Sequence, residues 1–366
     1  MLELRSSASH SWVPCSASPL FRSRVPVEPP SDATMEGTCA AWLAEVVLMG
    51  EVTDIQTMLG KAHPENHWLV DQAMIDHIDG YIRLMRSRNV KVQAEVFVRL
   101  NEYIAGTLDC VAFARGDTLF VDDLKYGFLP VDAYRNYQVL IYGIGLVMGM
   151  TEKPRWISMG IYQPRALHPE GIYRTWVISL EELGKWAEYI MYRGYLCQLP
   201  NPVATPGEHC TYCEARHTCD ALTQSTYKFV SVIESQQQVH LTLNTIGTEL
   251  DFLDRAEKLI KARRTGVVAE AEQMVKKGGH LRDWHLDTGL GNRKFNVTPD
   301  IVKAITGVDP FKQELKTPIE IERAATHHKA FVKEAVALIT TRPTTGYKLK
   351  RKPANHYEKL FPLTKP

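Results

Sequence analysis

Between residues 92 and 124 the sequence carries three short runs rich in β-formers: Val92–Val98, Tyr103–Ala114 and Thr118–Leu124. Turn signals at Asn101 and Gly116-Asp117 separate them, so the group is expected to pair antiparallel. Helical patterns bracket it. A helix is expected to begin near Glu36, where Cys39–Leu48 is rich in helix formers, and a second fits Trp68–Arg86. In the second, Leu69, Ala73, Ile75, Ile78, Ile82 and Met85 recur at roughly helical spacing. Downstream come a helix over Tyr134–Met148, entered after Pro130, and two strands, Trp156–Gln163 and Ile172–Ile178, turning at Pro164–Gly171. An amphipathic helix over Leu180–Tyr192 follows. This order predicts an α/β fold with a mixed sheet flanked by helices. The first thirty-five residues, rich in Ser and Pro, read as loop.

The β-rich stretch also holds the chemistry. Gly106-Thr107-Leu108-Asp109 precedes Val121-Asp122-Asp123-Leu124-Lys125. Residues i and i+2 of a strand share a face, so Asp123 and Lys125 are expected to project together and Asp122 to point the other way. A hairpin turning at Gly116-Asp117 brings Asp109 beside Asp123. Two carboxylates that close repel unless a cation lies between them. Hard divalent ions such as Mg²⁺ take oxygen ligands and leave positions for water and phosphate. Glu95, in the preceding strand, is a further candidate ligand. Lys125 would orient or deprotonate the attacking water and stabilise the charged transition state. Gln138 and Tyr142 lie four apart on one face of the next helix and matter only if it packs against the hairpin.

Asn201–Asp220 has little apolar content and cannot make its own core. It contains Cys210-Thr211-Tyr212-Cys213, with Cys219 after five residues, a spacing that lets thiolates converge on one metal. A fourth ligand is needed, and Cys15, Cys197, His209 and His217 are candidates. Thiolates suit either zinc or an iron–sulfur cluster. Cys39, Cys110 and Cys197 are expected to be buried small side chains. Seven cysteines without a signal-peptide pattern at the N-terminus predict a reducing, cytoplasmic setting and metal binding more than disulfides.

Beyond residue 225 the chain is expected to form a mainly helical accessory region over 226–341. A long helix from about His240 to Lys277 repeats Ile246, Leu253, Ile260, Val267 and Met274 every seven residues; it is expected to pack in cis, with an intermolecular coiled coil as the alternative. Arg282–Val297 would be a hairpin, with short helices over Pro299–Ile305 and Pro318–Leu338. The tail over 342–366 carries seven Lys and Arg against one acid and is expected to be disordered and solvated. The whole chain has 43 Lys and Arg against 42 Asp and Glu, so any attraction to nucleic acid must be local. No run of eighteen apolar residues occurs, and no membrane span is expected.

Taken together, Asp109, Asp123-x-Lys125, Gln138-x-x-x-Tyr142 and one early cysteine with a late C-x2-C-x5-C cluster resemble the RecB-like branch of the PD-(D/E)XK nucleases. The iron–sulfur members, the AddB nuclease domain and the CRISPR-adaptation exonucleases, are most similar. The start (Ser7–Trp12, Cys15, Glu36-Gly37-Thr38) and Gly291–Phe295 look like a phage and prophage family of such nucleases. The resemblance implies a restriction-endonuclease-like nuclease domain over 1–225. It implies a [4Fe–4S] cluster on Cys15, Cys210, Cys213 and Cys219. It also implies Mg²⁺ or Mn²⁺ on Asp109, Asp123 and Glu95, with Lys125, Gln138 and Tyr142 completing the catalytic set. DNA ends would be the substrate. A phage recombination or single-strand-binding protein, or further copies of the chain, would be partners. Lys258, Lys261, Arg263, Arg264 and the tail would meet backbone phosphates. In one respect the chain departs from the pattern: where RecB-like nucleases carry a metal-binding His on the first helix, this chain has Ala41, and Glu36 or Glu45 would have to substitute.

Overall fold

Each long helix of the sheet domain starts where the sequence offers an oxygen to its unpaired amides. The structure, a computed structural model, describes residues 1–26, 29–88, 92–113, 117–234, 242, 245–281 and 284. The elements in chain order are β1 (Leu4–Arg5), α1 (Ser9–Trp12), α2 (Ser18–Arg22), α3 (Asp32–Leu48), α4 (Gln72–Arg86), β2 (Val92–Arg99), β3 (Ile104–Phe113), β4 (Thr118–Leu124), α5 (Tyr137–Gly149), β5 (Trp156–Tyr162), β6 (Tyr173–Ser179), α6 (Leu180–Cys197), α7 (Asp220–Glu234) and α8 (Ile246–Lys276). Ser31, Asp71, Asn136 and Ser179 cap α3, α4, α5 and α6, each accepting from an amide of the first turn. The caps move two starts: α3 begins before Glu36, and α4 begins at Gln72, because Trp68–Val70 belong to a loop whose Leu69 bridges to Ala62. A compact unit spans Met1–Leu286, and residue 225 lies inside α7.

The strands form one mixed sheet in the order β1-β3-β4-β5-β6, with β2 on the remaining edge of β3. β2–β3, β3–β4 and β5–β6 are antiparallel, and β4–β5 is parallel. Ala105 pairs with Arg99 of β2 on one edge and with Arg5 of β1 on the other. The edge that β4 occupies along Cys110–Phe113 is therefore taken by β1 along Ile104–Ala105. Between them, around Gly106–Leu108, that edge of β3 carries no described strand partner. Helices lie against both faces, as the element order predicted. One core joins the sheet to α5 and α6 through Leu108, Val121, Val139, Ile157 and Leu183. The other joins it to α3 and α4 through Leu43, Ile78, Cys110, Leu124 and Tyr162.

Simple alternation fails at one place. Val92 and Cys110 pack with the α3–α4 core, whereas Val96, Val98 and Leu108 pack with the α5–α6 core. Even-numbered residues of one strand would otherwise share a face. The change occurs at Glu95 and Asp109, which the register places opposite each other (Ala94↔Cys110, Val96↔Leu108). Glu95 has φ 49, a left-handed conformation unusual outside glycine, and this turns the strand over.

Three other expectations need correction. The first thirty-five residues are not all loop: they form β1, a 3₁₀ turn at Ser6–Ala8, α1 and α2, because Trp12 and Val13 are buried in the main core. An unexpected helix, α7, covers the cysteine segment, with Leu222 fully buried. Helix α8 does pack in cis, as expected, but not by its heptad seam. Ile246, Leu253, Ile260, Val267 and Met274 are all exposed, and α8 docks by Ala256, Leu259, Ala262 and Gly266. Small residues allow this approach: a β-carbon at Gly266 would lie 2.8 Å from Arg216 Cγ and 3.0 Å from the His217 backbone nitrogen. Of the hairpin expected at Arg282–Val297, only a Leu281–Trp284 bridge is described. The helices over Pro299–Ile305 and Pro318–Leu338 and the tail lie outside the described residues. No described helix is long and apolar enough to cross a membrane.

Candidate active site

Strand register assembles the acidic residues. β3 and β4 pair Cys110 with Asp122, and one more step of that register sets Asp109 opposite Asp123. One strand further, Glu95 stands opposite Asp109. Three carboxylates thus form a row across β2, β3 and β4 at the point where the strands change face. Asp123 is 1% exposed. Asp109 Oδ2 accepts the Leu124 amide at 2.7 Å. Lys125 Nζ lies 2.8 Å from Asp123 Oδ2, an ion-pair contact, yet neither Asp123 oxygen receives a well-directed hydrogen bond. Buried oxygens left in that state are costly.

Electrostatics reflect the crowding. Burial, and then the neighbouring Asp123 charge, push the Asp109 carboxyl well above the usual range. Burial likewise raises Asp123, against the pull of Lys125. Burial disfavours the Lys125 ammonium, but the Asp123 and Asp109 charges outweigh it and raise Lys125. Glu95 is raised by desolvation and by the charge of Glu45 on α3. Of the two acids that the sequence offered in place of a first-helix His, Glu45 is therefore the one near the row. Glu36 is held by Arg165 at 2.6 Å.

Helix α5 does pack against the hairpin. Lys125 Nζ donates to Gln138 Oε1 at 3.0 Å, and Gln138 Nε2 donates to the Tyr142 hydroxyl at 2.8 Å. Burial pushes Tyr142 up to about 12, so its phenol stays protonated. The motif glycine now has a reason: a β-carbon at Gly106 would lie 1.9 Å from Ser6 Oγ and 3.1 Å from the Tyr142 ring. The N-terminal turn fits into the open edge of β3 only because residue 106 lacks a side chain.

Asp122 points the other way, as alternation predicted, into a buried cluster invisible in the sequence. Arg88 makes a two-pronged ion pair with it, and Tyr173 donates to Asp122 Oδ1 at 2.8 Å. Arg88 also stacks on Phe120, 4.5 Å from the ring centre. This cluster fixes β4 from behind. No local signal marks Arg88, thirty-four residues from its partner.

The second donor set lies in the cysteine segment. Cys15, Cys210, Cys213 and Cys219 line one cavity with Phe21, Pro206 and Leu222, and all are free thiols. Cys15 Sγ accepts the Thr205 amide and Cys210 Sγ the Gly207 amide, each at 3.4 Å. Burial pushes the Cys210 thiol up to about 11. Of the rival fourth ligands, Cys197 donates to Arg193 O and His217 faces Glu270, whereas His209 lines the same cavity with its Nε2 against Thr205 O. Cys39 and Cys110 are fully buried, as expected. Among the described residues no three His, Cys, Asp or Glu side chains form a ready metal centre, so both donor sets are adjacent without being closed. Of the basic residues expected on DNA, Lys258 pairs with Glu208 and Arg263 donates to His217 O, whereas Lys261 and Arg264 are exposed.

A family model described as a protein of unknown function, DUF2800, matches residues 3–350. The chain belongs to the DUF2800 family. The match takes in both the carboxylate row and the cysteine cavity of this DUF2800 chain. No curated protein matches it. Among solved structures, a "Putative exonuclease" from Eubacterium rectale is similar at 11% identity and a TM-score of 0.35, covering 66% of this chain and 90% of that one. An alkaline exonuclease from Laribacter hongkongensis is similar at 11% identity and a TM-score of 0.23, covering 53% and 88%. At such TM-scores neither likeness bears on what this chain does.

Proposed function

We propose that the chain is a metal-dependent DNA nuclease, an exonuclease acting on linear ends in phage recombination or replication. One observation carries this reading: half-buried Asp109 stands beside buried Asp123, whose Oδ1 has no hydrogen-bond partner and whose Oδ2 is ion-paired with Lys125. Such oxygens fit a hard divalent cation. Asp109, Asp123 and Glu95 would hold Mg²⁺ or Mn²⁺. A cation bound there would supply an activated water and neutralise charge on a phosphodiester. Lys125, anchored by Gln138, orients that water and faces the negative charge that grows on the attacked phosphate. Tyr142 accepts from Gln138, which holds the amide in register, and its phenol stays protonated. Asp122, Arg88 and Tyr173 keep β4 from shifting beneath the row.

Cys15, Cys210, Cys213 and Cys219 suit a [4Fe–4S] cluster in donor chemistry, being free, gathered on one cavity and partly met by amide N–H groups. A cluster there would tie the N-terminal turn to the segment on which α8 docks. A second reading, a non-catalytic DNA-binding protein of the same fold, is favoured by Ala41 where a metal-binding His is expected.

The test incubates anaerobically purified protein with Mg²⁺ or Mn²⁺ and with linear and circular, single- and double-stranded DNA. Loss of linear DNA alone is expected. Cutting of circles would replace the exonuclease with an endonuclease. Binding without cleavage under either metal would support the second reading.

A further inference from the structure

The loop that follows Lys125 is held more firmly than a connecting loop requires, and it displays apolar side chains outward. Gln163 and Arg174, both 1% exposed, form its latch. Gln163 Nε2 donates to Gly127 O at 2.8 Å and to Leu129 O at 2.7 Å, while Gln163 Oε1 accepts the Val131 amide at 3.0 Å. Arg174 donates to Val131 O at 2.9 Å and to Gln163 Oε1 at 2.7 Å. His168 meets Asp132 at 2.8 Å and ties in the loop after β5. On these cross-tied loops Phe128 is 67% exposed, Leu129 66% and Leu167 72%. Burying two polar side chains to hold apolar ones in water runs against ordinary economy of a surface.

The patch lies at the end of the sheet where β4 and β5, which are parallel, both terminate, the end at which Lys125 stands. Phe128 is three positions after Lys125, so their α-carbons are at most about 11 Å apart. Behind Phe128 the Arg165 guanidinium lies 3.9 Å from the ring centre and also covers Tyr126, and Glu36 holds it in place. A fixed aromatic ring backed by a cation, within reach of a phosphodiester site, is what base stacking on a single strand requires.

We propose that Phe128, flanked by Leu129 and Leu167, is a stacking platform for a nucleobase of a DNA strand whose phosphate occupies the carboxylate row. The inference rests on the nuclease reading. It makes an unpaired strand end the species engaged.

The test measures binding of a single-stranded oligonucleotide bearing a terminal 2-aminopurine and cleavage-resistant phosphorothioate linkages, in Mn²⁺ so that the carboxylate row carries its cation and the strand is not cut. Wild type should quench the fluorescence. Phe128→Ala should lose the quench and bind about 5- to 150-fold more weakly, with a similar ratio at low and high salt, since stacking releases no counterions. Phe128→Trp should bind like wild type. An unchanged melting temperature checks that the latch is intact. If wild type cleaves DNA with Mg²⁺ or Mn²⁺ while Phe128→Ala binds and quenches as wild type does, the platform is refuted and the nuclease stands. If wild type neither binds nor cleaves DNA, both fall.

Discussion

Replacing Asp109 by Asn should make the metal-free protein more stable at pH 8 and leave it unchanged near pH 4. Asp109 and Asp123 stand opposite each other in an antiparallel pair, where β-carbons are roughly 5 Å apart. Two unit charges at that separation repel by about 3 kcal/mol at an effective dielectric of 20. Lys125, 2.8 Å from Asp123, offsets part of this, and burial of Asp109 adds to it. Asn keeps an oxygen for the Leu124 amide. A net gain of about 1–3 kcal/mol follows, roughly 2–8 °C in Tm. Asp109 holds its proton to a higher pH in the folded state than in the unfolded chain. Wild type therefore loses stability as pH rises from about 4 through the folded value, and Asn does not. Thermal melts in EDTA across pH 4–8.5 measure the difference, and melts with Mn²⁺ supply the other half. A cation at 100 times its Kd stabilises by about 2.7 kcal/mol, and the variant should forfeit most of that gain. Destabilisation by Asn at pH 8, or equal Mn²⁺ gains in both proteins, would refute the reasoning.

Three further outcomes follow from close contacts. Gly160→Ala sets a β-carbon 2.2 Å from Asp122 Oδ1 and 2.7 Å from the Tyr173 ring; breaking that buried ion pair should cost about 3–5 kcal/mol in urea unfolding, and a loss below about 1 kcal/mol would mean the cluster does not brace β4. Gly266→Ala should undock α8 from the cysteine segment, seen as faster amide hydrogen exchange over residues 254–274 with the sheet unaffected; unchanged exchange would contradict the packing described. Anaerobically purified wild type should be brown and Cys213→Ser should lose that absorption, whereas a colourless, zinc-loaded wild type would overturn the cluster assignment.

What the sequence made legible was local or set by spacing. Thr118–Leu124 is bounded as its turn signals indicate, and the fourteen-residue interval between Asp109 and Asp123 equals the offset that the β3–β4 register imposes. The i, i+2 rule correctly separated Asp122 from Asp123 and Lys125. Long-range partners left no trace. Arg88 serves Asp122, Gln163 and Arg174 serve the loop after Lys125, and Ser6 fills the space above Gly106. Alternation misled at Glu95, where a left-handed residue turns two strands over together. Heptad spacing misled along α8, because the face that docks is built from Ala256, Ala262 and Gly266, whose small size rather than hydrophobicity permits the approach. Leu4, Trp12 and Val13 order a Ser- and Pro-rich start by entering a core whose remaining buried members run from Val98 to Cys197.

The most direct test compares wild type and Lys125→Ala, both checked for folding by circular dichroism, on linear duplex DNA with Mn²⁺ and with EDTA. Digestion by wild type that needs the metal and is abolished in Lys125→Ala is the predicted result. Metal-dependent digestion surviving in Lys125→Ala would contradict the account, because the cleavage would then belong to some other site.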